Sequence, residues 1–296
     1  MADIRNSQFL PEREFEFRID DFERVRKLIY RYAGISLAPI KKNMAYSRLV
    51  RRVRARNCLS FSEYLTLIEH GDQAEMEIFV NSLTTNLTSF FRETHHFEIL
   101  GRHLQKVAAQ GGLTRIWCSA ASTGEESYSL AITACETFDT LSPPVSIIAS
   151  DIDTNVLTMA RNGIYPKGRI AKLTPEQQHR FFIEDADTQP GFVRVRPELQ
   201  KLIKFTRVNL LGEHWPSISG SFDAIFCRNV MIYFDKATQY QILKKFAALL
   251  REDGLLFAGH SESFLHATDL FHSLGQTVYE RAGRAYRMGP DRPPDR

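Results

Sequence analysis

Long apolar runs, paired cysteines and a strong net charge are all missing from this 296-residue chain. No run approaches the roughly 18 apolar residues of a membrane-spanning helix. The opening "MADIRNSQFLPEREFEFRID" carries acidic residues where a secretory signal has its apolar core. Both absences lead to the expectation of no direct membrane insertion. The four cysteines, Cys58, Cys118, Cys135 and Cys227, form no CxxC pair. That speaks against a disulfide framework or a zinc site and for a reducing, cytoplasmic setting. A net charge of +3 excludes a polycation, so attraction to nucleic acid or to an acidic partner must come from a local patch. No internal repeat is visible. What is present is ordinary for a globular protein: 43% hydrophobic and 25% charged residues, in a length that suits one large domain or two smaller ones.

Periodicity divides the chain. Up to about residue 90 the pattern is helical. "DDFERVRKLIYRYAG" places Val25, Leu28, Ile29 and Tyr32 on one face, with Asp20 and Glu23 spaced as a capping box and Gly34 as a stop. "KKNMAYSRLVRRVRAR", "SFSEYLTLIEHG" and about Glu75 to Leu83 supply three more helices. From Leu113 strands and helices alternate. "LTRIWCSA", "PVSIIASD", "FDAIFCRN" and "GLLFAGHS" read as strands, with helices between them, which predicts a parallel sheet covered on both faces. "QTVYERA" predicts an antiparallel edge strand. Residues 191–208, "GFVRVRPELQKLIKFTRV", alternate like exposed antiparallel strands and predict a small β insertion. The tail "GPDRPPDR" reads as disordered.

The turn "SAASTGEE" after the first strand raises the central question, because it has one glycine, Gly124, where nucleotide-binding turns have two or three. Its small side chains still let a ligand approach the backbone. Glu125 and Glu126 would repel a pyrophosphate but suit a phosphate-free, cationic, hydroxyl-bearing ligand such as S-adenosylmethionine; the plainer reading is that they complement a helix dipole. Asp151, 27 residues after Gly124, ends the second strand in "ASDID", where dinucleotide folds place the acid that binds ribose. It and Asp153 equally suit capping of the next helix. Arg228 and Asn229, polar in the apolar "FCRNVMIYFD", require partners. Asn86, Thr88 and Arg92 interrupt the aromatics of "NLTSFFRE". His95 and His96 are adjacent, so on a helix they are expected to point apart and not to form a metal pair.

Together "LTTNLTSFFRE", "AASTGEE", "ASDID", "VNLL", "FDAIFCRNVMIYFD" and "LLFAGHSES" resemble the bacterial chemotaxis-receptor glutamate methyltransferases, the CheR-type family, along almost the whole chain. The resemblance implies an α/β fold: a Rossmann-like class I methyltransferase sheet with a small antiparallel β insertion, after a small all-α domain. The implied division is an extension at 1–18, a receptor-recognising helical domain at 19–84, a methyltransferase domain at 85–288 with its β-subdomain at about 184–208, and a tail at 289–296. It implies methylation of chemoreceptor glutamates from S-adenosylmethionine, leaving S-adenosylhomocysteine, with no metal. Asn86, Thr88, Arg92, Glu126, Asp151, Asn209, Leu210, Arg228 and Asn229 would contact the cofactor, and Arg92 and Tyr233 would lie nearest the transferring methyl. The partner would be the receptor's cytoplasmic helical bundle, with a receptor C-terminal peptide adding a strand to the β-subdomain, and the enzyme a monomer.

A receptor glutamate, with a pKa of about 4.3, is already ionised at neutral pH, so no general base is needed. Two rival readings are a nucleic-acid methyltransferase, which low charge and the lack of a base-methylating catalytic loop disfavour, and a silent adaptor, which the full set of site residues disfavours. Finally, Lys41 to Arg56 holds seven basic residues and no acidic one. Arg48, Arg51 and Arg52 fall roughly opposite the apolar stripe; that face is either solvated surface or a dock for an acidic receptor.

Overall fold

The computed structural model describes residues 14–184 and 190–283, so most of the expected N-terminal extension and all of the 289–296 tail lie outside the described residues. The chain divides between Thr84 and Thr85 into two compact units.

Among the described residues the first unit has four α-helices, α1 (Ile19–Ala33), α2 (Lys42–Ala55), α3 (Phe61–Glu69) and α4 (Gln73–Leu83). Val25, Ile29, Leu49, Val53, Phe61, Tyr64 and Phe79 are fully buried in it. Local sequence sets most of the ends. Gly34 takes a left-handed φ of 71° and donates to Tyr30 O. Ser60 accepts from the Glu63 amide at 3.1 Å while Glu63 accepts from Leu59 N at 2.7 Å. The start of α1 departs from expectation: the helix begins at Ile19, which shifts the capping interaction to Asp21, accepting from Arg18 N at 3.0 Å, and leaves Glu23 to pair with Arg26.

The second unit opens with α5 (His95–Ala108) and continues through β1 (Thr114–Cys118), α6 (Glu125–Thr137), β2 (Val145–Asp151), α7 (Thr154–Asn162), β3 (Ile164–Pro166), α8 (Pro175–Phe181), β4 (Phe182–Glu184), β5 (Phe192–Val195), α9 (Pro197–Lys201), β6 (Ile203–Arg207), β7 (Phe222–Cys227), α10 (Lys236–Leu249), β8 (Leu250–Ala258), β9 (Phe271–Gly275) and β10 (Val278–Arg281). Seven strands form one sheet in the order β6-β2-β1-β7-β8-β10-β9. The pairings from β6 to β8 are parallel; β10 runs antiparallel to both β8 and β9. Successive β1 residues feed opposite cores, Ile116 and Cys118 one side and Trp117 the other, as strand alternation requires. Residues 125–135 of α6 are buried all round, which fits a helix enclosed by neighbours rather than laid on a surface.

Two expectations are corrected. The "QTVYERA" strand, β10, is interior, and the edge is β9, its hairpin partner. Within 191–208 only β5 joins the small three-stranded sheet, of order β3-β5-β4, while β6 pairs in parallel with β2 at the edge of the main sheet. Alternating polarity marks any half-exposed strand, and it does not say which sheet the strand joins.

Candidate active site at the sheet switch point

After β1 the chain builds outward through β2 to β6, then returns to the other side of β1 as β7. The crevice beyond the carboxyl ends of β1 and β7 is therefore the switch point where open α/β sheets bind ligands. The loops that meet there carry four non-glycine residues in left-handed conformation: Phe91 (φ 49°), Glu93 (59°), Ser122 (49°) and Asn229 (59°). Such strain persists only where surrounding structure enforces it.

The adjacent glutamates of the turn do different work. Glu125 accepts from Thr123 Oγ1 at 2.5 Å and lies 3.5 Å from Arg169. Glu126 points inward, where it accepts from Cys118 Sγ at 3.2 Å and from Arg228 Nη1 at 2.9 Å. Burial pushes the Glu126 carboxyl up, against the pull of the Arg228 guanidinium. Arg228, 4% exposed, also donates to the Arg92 carbonyl and lies 3.2 Å from the Glu93 carboxylate. Glu93 in turn accepts from His260 at Nδ1 (3.1 Å) and N (3.3 Å). Burial opposes its charge, but Arg228 and His260 together hold the Glu93 carboxyl below the usual range. A buried cation between two carboxylates thus ties β7, α6 and the "FFRE" segment together.

At the end of β2, Asp151 accepts from Ser122 N (2.9 Å) and Asp153 N (3.0 Å). Desolvation pushes its pKa up to about 6, with those hydrogen bonds opposing. Asp153 takes the capping role, accepting from Asn155 N at 2.9 Å. Asn86 bridges both loops: its Nδ2 donates to Asp153 at 2.9 Å and its carbonyl accepts from Ser122 Oγ at 3.0 Å. The Thr88 carbonyl accepts from Arg169 at 3.1 Å. Asn209 accepts from the Leu211 amide at 3.0 Å, while the Leu210 side chain is buried in the core beside Trp117. Arg92, half-buried, donates from Nη1 to Leu87 O at 3.1 Å, and its guanidinium makes no other hydrogen bond among the described residues. Tyr233, also half-buried, ends a one-turn 3-10 helix.

His95 and His96 do not point apart: their ring centroids are 4.2 Å apart. With Glu93 they bring ligand-type atoms within 4.8 Å of one another. His96, wholly buried, has its Nε2 against Gln276 O, and burial lowers its pKa to about 4. The Arg228 guanidinium already faces the same Glu93 oxygen, and its charge opposes a divalent cation there.

In the first unit, Arg48 donates to the carbonyls of Leu83 (2.9 Å) and Thr84 (2.7 Å), and Arg52 binds Glu75 through two bonds of 2.9 and 2.7 Å. Both are half-buried, so they do not sit opposite the core as expected; Arg51 alone of the three is exposed. Acids from other elements also answer the basic helix: Glu14 pairs with Arg54 and Asp72 with Arg56.

Sequence reasoning passed over Glu93, Ser122 and Glu262. Glu262, 4% exposed, accepts four backbone N–H groups around Asn229. Its only local signal is a carboxylate three residues after Gly259 at a strand end.

Glu126 and Asp151 set two buried carboxyl groups beside the switch point, a donor set that would suit a cationic, phosphate-free cofactor with ribose hydroxyls better than a nucleotide phosphate. Comparison with known proteins agrees. Residues 20–84 match the model of the CheR methyltransferase all-alpha domain, and residues 86–280 that of the CheR methyltransferase SAM binding domain. Chemotaxis protein methyltransferase 2 of Pseudomonas aeruginosa is 50% identical over 269 residues, covering 91% of this chain and 95% of that protein. The chemotaxis protein methyltransferase of Escherichia coli is 50% identical over 259 residues, covering 87% and 89%. That of Borreliella burgdorferi is 35% identical over 254 residues, covering 82% and 88%. With both of its domains matched and half of the aligned residues identical in two of these relatives, this chain belongs to the CheR family of S-adenosylmethionine-dependent methyltransferases.

Proposed function

We propose that the enzyme methylates glutamate side chains on the cytoplasmic domains of chemoreceptors, in the cytoplasm, as part of sensory adaptation. The observation that carries the reading is Arg92. One of its nitrogens is held by Leu87 O, and the remaining donors are left for an incoming carboxylate beside the acidic cleft. When bound, S-adenosylmethionine supplies a methyl on a sulfonium sulfur and leaves as S-adenosylhomocysteine. Asp151 binds the ribose, Glu126 faces the cationic end, and Asn86, Thr88, Asn209, Leu210, Arg228 and Asn229 complete the pocket. The acceptor is already ionised, so the protein's task is alignment and exclusion of water. Arg92 orients the carboxylate and Tyr233 closes the side nearest the methyl. Arg51, with Arg48 and Arg52 behind it, faces the receptor bundle. The edges of the β3-β5-β4 sheet suit strand addition by a receptor C-terminal peptide.

Receptor membranes and RNA are offered with methyl-labelled cofactor, and the labelled peptides are mapped by mass. Glutamate esters are lost as methanol in alkali. Base-labile label on receptor glutamates is the expected result. Base-stable label, or label on RNA, overturns it.

A further inference from the structure

Tyr233 sits on a one-turn 3-10 helix, Met231–Tyr233, that has no side-chain cap of its own. The chain enters this turn through Asn229 in the left-handed region, a conformation that asparagine tolerates better than most side chains. Two side chains from elsewhere hold it. At the N–H end, Glu262 Oε2 accepts from Asn229 N (2.8 Å) and Gly259 N (2.6 Å), and Oε1 accepts from Met231 N (2.7 Å) and Val230 N (3.0 Å). At the carbonyl end, buried Gln239 donates from Nε2 to Met231 O (2.8 Å) and Phe234 O (3.0 Å). Gly259 permits the closure, since a Cβ there would lie 2.3 Å from Asn229 Nδ2. A partly open pocket of about 230 Å³ lies beside the turn, and Gln239 and Glu262 line it together with Met231, Lys236, Ser261 and Phe264. These hydrogen bonds therefore act together with the burial of Met231 and Phe234 in the core to fix where this backbone lies.

We propose that Glu262 and Gln239 are positioning residues for methyl transfer, clamping the turn from both ends so that Asn229 and Tyr233 stand correctly at the cofactor. The proposal rests on the reading of Asn229 and Tyr233 as site residues. Only an ionised carboxylate offers two oxygens that both accept with no donor of their own, which is what four converging N–H groups demand. Burial raises the Glu262 carboxyl above its usual range, and the four amides counter it.

Glu262→Gln turns an NH2 group toward backbone donors while keeping the side chain's shape. The variant is measured by steady-state methylation, calorimetric cofactor binding and amide hydrogen exchange. We expect kcat to fall at least tenfold and cofactor Kd to rise several-fold, with receptor KM unchanged. Exchange should quicken at residues 229–231 and 259 while the sheet stays protected. Wild-type turnover in the folded variant, or unchanged exchange at those amides, overturns the proposal. Should Glu262→Gln fail to fold, Gln239→Met, which removes only the carbonyl-side bonds, takes its place under the same two criteria. Tyr233→Ala and Asn229→Ala are run beside it. If both keep full turnover and cofactor affinity, the site assignment itself is wrong; if they lose activity and Glu262→Gln does not, only the clamp is wrong.

Discussion

Asp151 ends a strand with both carboxylate oxygens engaged and its pKa raised to about 6. A carboxyl raised above its unfolded value contributes stability that is fully present below that unfolded value and lost as pH rises through about 6. If Asp151 holds the ribose as proposed, cofactor binding should run the opposite way, because ribose hydroxyls need the ionised acceptor. Affinity measured by calorimetry should weaken as pH falls through about 6. Asp151→Ala should flatten that dependence and cost about 1.5–3 kcal/mol of binding; unchanged affinity in a folded variant would remove Asp151 from this role. Arg92→Ala deletes a single side-chain hydrogen bond, so most receptor methylation should go while the melting temperature stays near normal. Arg52 and Arg51 separate in the same manner. Arg52→Ala leaves Glu75, 1% exposed, without its two-bond partner and should cost on the order of 3 kcal/mol of stability in denaturant titrations. Arg51→Ala, on an exposed side chain, should shift the unfolding midpoint little and raise the receptor KM. Arg52 therefore cannot serve as a clean probe of receptor docking, because its loss is felt first in the fold.

Among elements, the turn from β1 into α6 is held closely by its neighbours. Gly124 has φ 98°, and a Cβ there would meet Ala160 Cβ and Tyr165 Oη, each at 2.8 Å. Tyr165 also donates to Thr123 O at 2.7 Å, so β3 of the small sheet braces this turn. Gly124→Ala should cost about 1–3 kcal/mol from backbone strain, more with the clash, and should abolish cofactor binding; a variant with wild-type melting and affinity would show that the turn tolerates another path. The single glycine of "SAASTG" was legible as a close-approach turn. Its bracing by β3 was not, because Tyr165 stands 41 residues beyond Gly124 and meets the turn beside Ala160 of α7 only in the folded chain. The same limit explains the misplacement of residues 203–207 and of β10. A strand's own pattern records that one face is half-exposed, but partner and direction are set by what lies beside it.

For the molecule as a whole, net charge is small, and most of the basic helix α2 is answered by Glu14, Asp72 and Glu75. Exposed attraction at Arg51 remains screened over about 8 Å at physiological salt. Receptor methylation should thus weaken modestly as salt rises, and Arg51→Ala should remove much of that slope while leaving cofactor affinity unchanged. A slope identical in wild type and variant would show Arg51 to be solvated surface.

Order along the chain was enough to divide helices from the alternating α/β region, to place Asp151 and Arg228 at strand ends and to expose the family motifs, because periodicity and short-range turn chemistry are local. Only the tertiary structure decided what each polar side chain faces. It set Arg228 between Glu126 and Glu93, brought His95 against His96, and closed Glu262 over the amides of Asn229, Val230 and Met231. Those partners lie up to 135 residues apart, and a buried charge is satisfied by whatever group the sheet order places within reach, which no local pattern encodes.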